Sequence, residues 1–219
     1  MKNKKEKIPI PKYSLGEELI SSISHGVGAL LSIAALVLCI VFAAINKNAV
    51  AVIASTIYGT TLFVLYLMSC LYHALKPNKA KKVFRLFDHC SIFLLIAGSY
   101  TPFLLITIGG RRGLFMLAVI WLAAIIGIVG NCVALEKFKK VAFVLYLVMG
   151  WMIIFSLNPL LTNLAKPGII LLLIGGIIYT LGAIIYLIGS KVKYMHSVWH
   201  FFVLGGSIFQ FFSILLYVI

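Results

Sequence analysis

Charge is what this chain has little of, and negative charge least of all. Only 11% of its 219 residues are Asp, Glu, Lys or Arg, and five are acidic, with Asp88 the single aspartate. A soluble domain carries about 25% charged residues, so a composition that is 63% hydrophobic, with mean hydropathy +1.12, cannot cover a water-exposed surface. Cysteine is equally sparse. Cys39, Cys70, Cys90 and Cys132 are scattered through apolar stretches, which excludes a disulfide scaffold and leaves them as small hydrophobes. The period-two alternation of a transmembrane barrel is missing, as are internal repeats and low-complexity segments. No separate soluble domain fits either, because seven spans of about 20 residues each consume roughly 140–150 positions.

What is present is a series of apolar runs punctuated by Lys, Arg, Gly and Pro. The runs predict helices over about 23–45, 49–75, 87–108, 114–134, 141–160, 168–189 and 197–218, with ends uncertain by about three residues. Backbone groups in lipid must be satisfied internally, so each run is helical. The expected architecture is an all-α seven-transmembrane helix bundle: a short basic tail, 1–22, and one domain, 23–219. The basic, then apolar N-terminus is read as a retained first helix rather than a signal peptide, because Glu17 and Glu18 intervene and the apolar run is too long for a signal sequence.

Lys and Arg set the expected direction. Fifteen of them fall in the N-terminal tail and the second, fourth and sixth connections, and four fall on the other side. The rule that basic loops stay inside predicts a cytoplasmic N-terminus and an extracytoplasmic C-terminus in the cell membrane. The net charge of +14 is thereby explained as loops facing anionic lipid, without a nucleic-acid partner. The Lys79 to Arg85 cluster is expected to touch lipid headgroups. The predicted direction excludes G-protein-coupled receptors, and the lack of Lys in 197–218 excludes a retinal protein.

Ionisable residues inside a bilayer cost about 2.5–3.5 kcal/mol each and mark functional sites. Here they are His25, His73, Asp88, His89, His196 and His200, accompanied by Ser69. The predicted topology puts all of them near the cytoplasmic ends of four helices. Ser69 and His73 are four residues apart, as are His196 and His200, so each pair shares a helix face. Two imidazoles one turn apart can grip a metal ion; His73 is the natural third ligand, leaving an open position for water. Asp88 is then the carboxylate to hold or deprotonate that water. Spacing alone leaves open an interfacial or capping role, or a proton relay. Cys70 and Cys90 compete as soft ligands.

Several of these segments resemble bacterial hemolysin III proteins, within the wider progestin and adiponectin receptor superfamily. They are Tyr13-Ser14-Leu15-Gly16-Glu17-Glu18 with Ser24-His25-Gly26, Ser69-Cys70-Leu71-Tyr72-His73, Phe87-Asp88-His89-Cys90-Ser91-Ile92, Ala97-Gly98-Ser99-Tyr100-Thr101-Pro102-Phe103 and His196-Ser197-Val198-Trp199-His200-Phe201. The resemblance runs in order from residue 13 to about 210. It implies a seven-helix bundle with a cytoplasmic N-terminus and a Zn2+ held by His73, His196 and His200. It implies that Asp88 contacts the zinc-bound water, with Ser69 beside the site, and an activity resembling ceramidases, which hydrolyse a lipid amide. The alternatives are a non-enzymatic regulator of membrane lipid or fluidity homeostasis with structural zinc, and a pore-forming cytolysin. The expected partners are membrane lipids, one of them a substrate.

Smaller expectations complete the reading. Pro102 and Pro159 mark kinks near the outer ends of their spans. Gly175, Gly176 and Gly182 allow close helix packing, and Asn131 bonds a neighbouring helix. Trp151, Tyr194 and Trp199 belong to interfacial belts, whereas Tyr72 and Tyr100 approach the site. His25 supports the ligands with Glu17 or Glu18, and His89 is peripheral.

Overall fold

The computed structural model describes residues 8–46, 48–189 and 192–219. Its helices are α1 Leu15–Ile45, α2 Ala49–Ala74, α3 Lys79–Pro102, α4 Gly110–Trp151, α5 Leu157–Asn163, α6 Lys166–Gly189 and α7 Met195–Tyr217. A π-helical turn, Phe103–Ile108, extends α3 beyond Pro102, and a 3₁₀ turn, Met152–Ser156, joins α4 to α5. Among the described residues there is no strand, and six helical stretches are long and apolar enough to cross a membrane. Large apolar side chains such as Leu30, Ile53, Ile125 and Leu173 point outward along them, as a lipid-facing exterior requires.

The first helix begins well before residue 23. Ser14 and Glu17 form a capping box: the Ser14 amide and hydroxyl donate to Glu17 Oε2 at 2.8 and 2.7 Å, and the Glu17 amide donates back to Ser14 Oγ at 3.4 Å. That satisfies orphan groups at the helix start and carries α1 to Leu15. The third helix likewise begins at Lys79, where Asn78 accepts from the Lys81 amide at 2.8 Å. Most of the expected 76–86 loop is therefore helical.

At 42 residues, α4 has one non-helical residue inside it, Ala134, with φ −154 and ψ 66. Contacts on either side define its path. Trp121 donates to Thr101 Oγ1 at 3.3 Å, and Gly127 sits against the Phe93 ring. Past Ala134, Tyr146 donates to the His89 carbonyl at 2.8 Å, and the Gly150 carbonyl accepts from Tyr100 at 2.9 Å. The limb before Ala134 thus descends α3 from residue 101 to 93, and the limb after it climbs back from 89 to 100. The reversal lies at Ala134 itself, and Lys137, Lys139 and Lys140 stand in helix rather than in a loop.

Around this, α1 packs on α2 and α7, α2 on α3, and α6 on α7. Gly175 faces the Gly206 carbonyl and Gln210, and Gly182 faces Phe202, so both permit the close approach of α6 and α7. Gly176 faces open space and takes no part. At the end of the bundle away from the histidines, Asn46 Nδ2 donates to the Ile219 carbonyl at 3.0 Å and Asn163 Nδ2 donates to the Thr107 carbonyl at 2.8 Å.

Candidate metal centre

Three elements bring the site together. His73 comes from the last turn of α2, and His196 and His200 from the first two turns of α7. The entry to α7 is held by α1. Tyr194 adopts a left-handed conformation, φ 66, unusual for a residue with a side chain, and its amide donates to Glu17 Oε1 at 2.8 Å. The Ser197 hydroxyl donates to the Glu17 carbonyl and also meets Ser21 Oγ, both at 3.1 Å.

The Nε2 atom of His196 lies 3.3 Å from His73 Nε2 and 3.3 Å from His200 Nε2. Two nitrogens on a tetrahedral ion with bonds of about 2.0–2.1 Å stand about 3.3–3.4 Å apart. The three imidazoles are buried and can hold a metal ion; among the described residues, no other group of metal-ligating side chains is gathered in this way.

The next layer fixes the ligands. His73 Nδ1–H donates to Glu18 Oε2 at 2.7 Å, which leaves the Nε2 lone pair toward the centre. Glu18 Oε1 accepts from Lys81 Nζ at 2.7 Å, and Lys81 also donates to the Leu75 carbonyl. Such outer carboxylates orient ligating histidines and raise their basicity. The Tyr13 ring stacks on His196 at 4.6 Å and 15°, and the Trp199 ring lies 5.2 Å from His196 and 5.0 Å from His200. Burial pushes the Tyr13 phenol above its ordinary range, with the charge of Tyr186 a smaller contribution, so this ring packs as a neutral phenol.

Ser69 lies one turn before His73, buried, with its hydroxyl toward Asp88. Asp88 faces His73, Ser69 and Arg85, and shares with His196 the wall of a cavity of about 630 Å³, within the range of small-molecule sites. His25 stands behind the cluster: its ring is 3.9 Å from that of His200, and its Nε2 is 3.4 Å from the His200 carbonyl oxygen. It is Glu18, not Glu17 or His25, that holds His73. His89 lines the cavity without joining the ligands.

Other expectations are corrected. Lys81 and Arg85 are not surface charges. Both are buried, Lys81 on Glu18 and Arg85 on Glu136 at 2.6 Å. Cys70 lies 3.7 Å from Ser22 Oγ and Cys90 points at the Ile128 carbonyl, so neither thiol joins the cluster. Trp199 packs at the site rather than in a belt, and Trp151 donates to Thr180 on α6. Tyr72 approaches, with its ring 4.5 Å from that of His73. Tyr100 does not, since it binds Gly150 and Ile153. Asn131 is buried beside Cys90 of α3 and Tyr146 of the second α4 limb.

Fold and site together define a multi-pass helical protein of the cell membrane with a buried three-histidine centre. The sequence profile described as haemolysin-III related matches residues 13–211, and the chain belongs to that family. It is similar to "Hemolysin-3" of Bacillus cereus, 47% identical over 203 residues, covering 93% of this chain and 92% of the relative. It is also similar to "Hemolysin-3 homolog" of Bacillus subtilis (strain 168), 42% identical over 205 residues, with coverage of 94% and 96%. A more distant match is the human "Monocyte to macrophage differentiation factor", 28% identical over 170 residues and covering 74% of this chain and 69% of that protein. It extends the likeness to the progestin and adiponectin receptor superfamily.

Proposed function

We propose that this protein is a zinc-dependent hydrolase of a lipid amide. The reading further takes it as a seven-crossing bundle with its N-terminus in the cytoplasm and its C-terminus outside. The observation that carries the chemistry is Asp88, the only aspartate, on the wall of a cavity that reaches a cluster of three histidines rather than four ligands. An open coordination position is the mark of catalytic zinc.

The crossing count is supported by α4. Its 42 residues amount to about 63 Å of helix, twice the roughly 30 Å hydrocarbon core, and its two limbs run oppositely along α3. The direction is supported by the fifteen-to-four Lys and Arg asymmetry.

His73, His196 and His200 would hold the zinc, which when bound would supply a Lewis acid for a carbonyl and for water. Asp88 accepts a proton from the attacking water and returns it to the leaving nitrogen. The Ser69 hydroxyl, beside Asp88, donates a hydrogen bond to the carbonyl oxygen as charge develops there. Glu18 holds His73 in the required tautomer, and Tyr13 and Trp199 confine the His196 ring. The apolar exterior favours a substrate that arrives sideways from the bilayer.

A second reading, a non-enzymatic regulator of membrane lipid with structural zinc, has its own support: the three histidines join α2 to α7 and are braced by the part-buried Glu18 and Lys81 pair. The names of the bacterial relatives point to a third, a haemolytic pore. Purified wild type and Asp88→Ala, each checked for zinc, are incubated with a total lipid extract and the products followed by mass spectrometry. The hydrolase reading expects a lipid amide to be consumed by wild type and spared by the zinc-bearing variant. No lipid consumed over many hours rejects hydrolysis in favour of the structural role. Ion leak from protein-loaded liposomes, equal in both proteins, points to the pore.

A further inference from the structure

The cavity beside the histidines has a second chemical character. Lys12 precedes α1, Lys139 lies on the second limb of α4, and Lys193 sits in the turn into α7, yet all three border this one opening, with Arg85 of α3 in its wall. None of the three lysines has an ion-pair partner among the described residues. Two carboxylates share the lining, Glu17 and Asp88. Both Glu17 oxygens are occupied, by Ser14 and by the Tyr194 amide, and Asp88 is turned toward His73, Ser69 and Arg85. The Arg85 side chain is only 4% exposed. One of its terminal nitrogens meets the Pro9 carbonyl and Glu136, but its Nε has no acceptor at all.

The preference of basic residues for the cytoplasmic side accounts for lysines on this face. It does not account for three of them, from three separate segments, meeting at one aromatic-lined cavity. Guanidinium and ammonium groups together are the recognition set for phosphate, and Tyr72, Tyr186 and Trp199 line the same cavity with faces suited to glycerol and acyl carbons.

We propose that this cavity binds an anionic phosphate group, brought by the headgroup of a membrane phospholipid. Lys12, Lys139 and Lys193 surround the phosphate, the buried Arg85 adds positive charge from within the wall, and the aromatic side receives the glycerol end. This recognition goes beyond the hydrolase reading and does not depend on it, because it requires the cations and the cavity but no chemistry at the histidines.

The test measures binding, so that loss of catalysis and loss of recognition are separate results. Full-length protein in neutral detergent is titrated with dihexanoyl phosphatidylglycerol and with dihexanoyl phosphatidylcholine, read by tryptophan fluorescence and by thermal shift. The expected result is at least tenfold tighter binding of phosphatidylglycerol, weakening as salt is raised. The combined Lys12→Gln, Lys139→Gln, Lys193→Gln variant loses that preference, and the corresponding Lys→Arg variant keeps it. Glycerol 3-phosphate and inorganic phosphate identify the source. Failure to compete at hundredfold excess assigns the lipid headgroup, whereas competition at parity assigns a soluble phosphate at the same cations. Equal affinity for the two lipids, or a Lys→Gln variant that retains the wild-type preference, overturns the proposal.

Discussion

Glu18 Oε2 lies 2.7 Å from His73 Nδ1, while the other nitrogen of the same imidazole lies 3.3 Å from His196 Nε2. One ring therefore joins the first turn of α1 to the centre built by α2 and α7. Removing the charge at this position tests how much the outer carboxylate contributes. Glu18→Gln is expected to weaken zinc binding about 10- to 100-fold, measured by competition with a calibrated chelator, in a protein that still elutes as a single species. Unchanged affinity would show that packing alone orients His73.

The ligands themselves should separate from the neighbouring histidine. His73→Ala, His196→Ala and His200→Ala are each expected to lose the metal in elemental mass spectrometry, and His25→Ala to keep it. Chelation should lower the melting temperature of wild type and leave the ligand variants unmoved, because a ligand at a thousand times its Kd adds about 4 kcal/mol to stability. Equal metal content in wild type and all three variants sinks the centre.

Labelling can decide the path of α4. Single cysteines introduced at Arg111, Lys137 and Asn163 in an otherwise cysteine-free chain are probed with an impermeant maleimide. If the chain reverses across the membrane at Ala134, Arg111 and Asn163 are labelled from outside and Lys137 only after the cells are opened. Labelling of all three from outside removes both α4 crossings from the count.

Helix packing offers an internal contrast between two glycines. A methyl group at Gly59 would stand 2.7 Å from the Leu36 backbone, whereas at Gly176 it meets nothing within 4 Å. Gly59→Ala is expected to cost about 1–3 kcal/mol by overpacking, and Gly176→Ala to be neutral or slightly stabilising. Unfolding in mixed detergent, followed by circular dichroism, checks both.

What could be read from the sequence divides along a physical line. The histidine pair in α7 and the Ser69 and His73 pair in α2 were visible because helical spacing is local, and a common depth followed from charge bias alone. Glu18 was not assignable to His73 because that contact spans 55 residues and depends on how α1 docks. The error over 76–86 has the same origin. A row of Lys and Arg looks like a solvated loop unless the acids that neutralise it are known, and for Lys81 and Arg85 these are Glu18 and Glu136. The early start of α1 was within reach, since Ser14 and Glu17 have capping-box spacing. The break between the fourth and fifth spans was also legible, since the apolar run ends at 134, but its brevity was not: the chain turns at Ala134 alone and the basic residues after it remain helical.

The origin of the ligands in α2 and α7 sets a timetable. A chain emerging from the ribosome reaches His73 early, but His196 and His200 belong to its last helix, and domains take shape from the N-terminal end during synthesis. Until α7 has entered the bilayer, His73 and Glu18 wait as an incomplete pair. A metal ion that needs all three nitrogens can therefore be captured only once α7 is in place, and a chain stalled between residues 73 and 196 leaves the cluster without two of them.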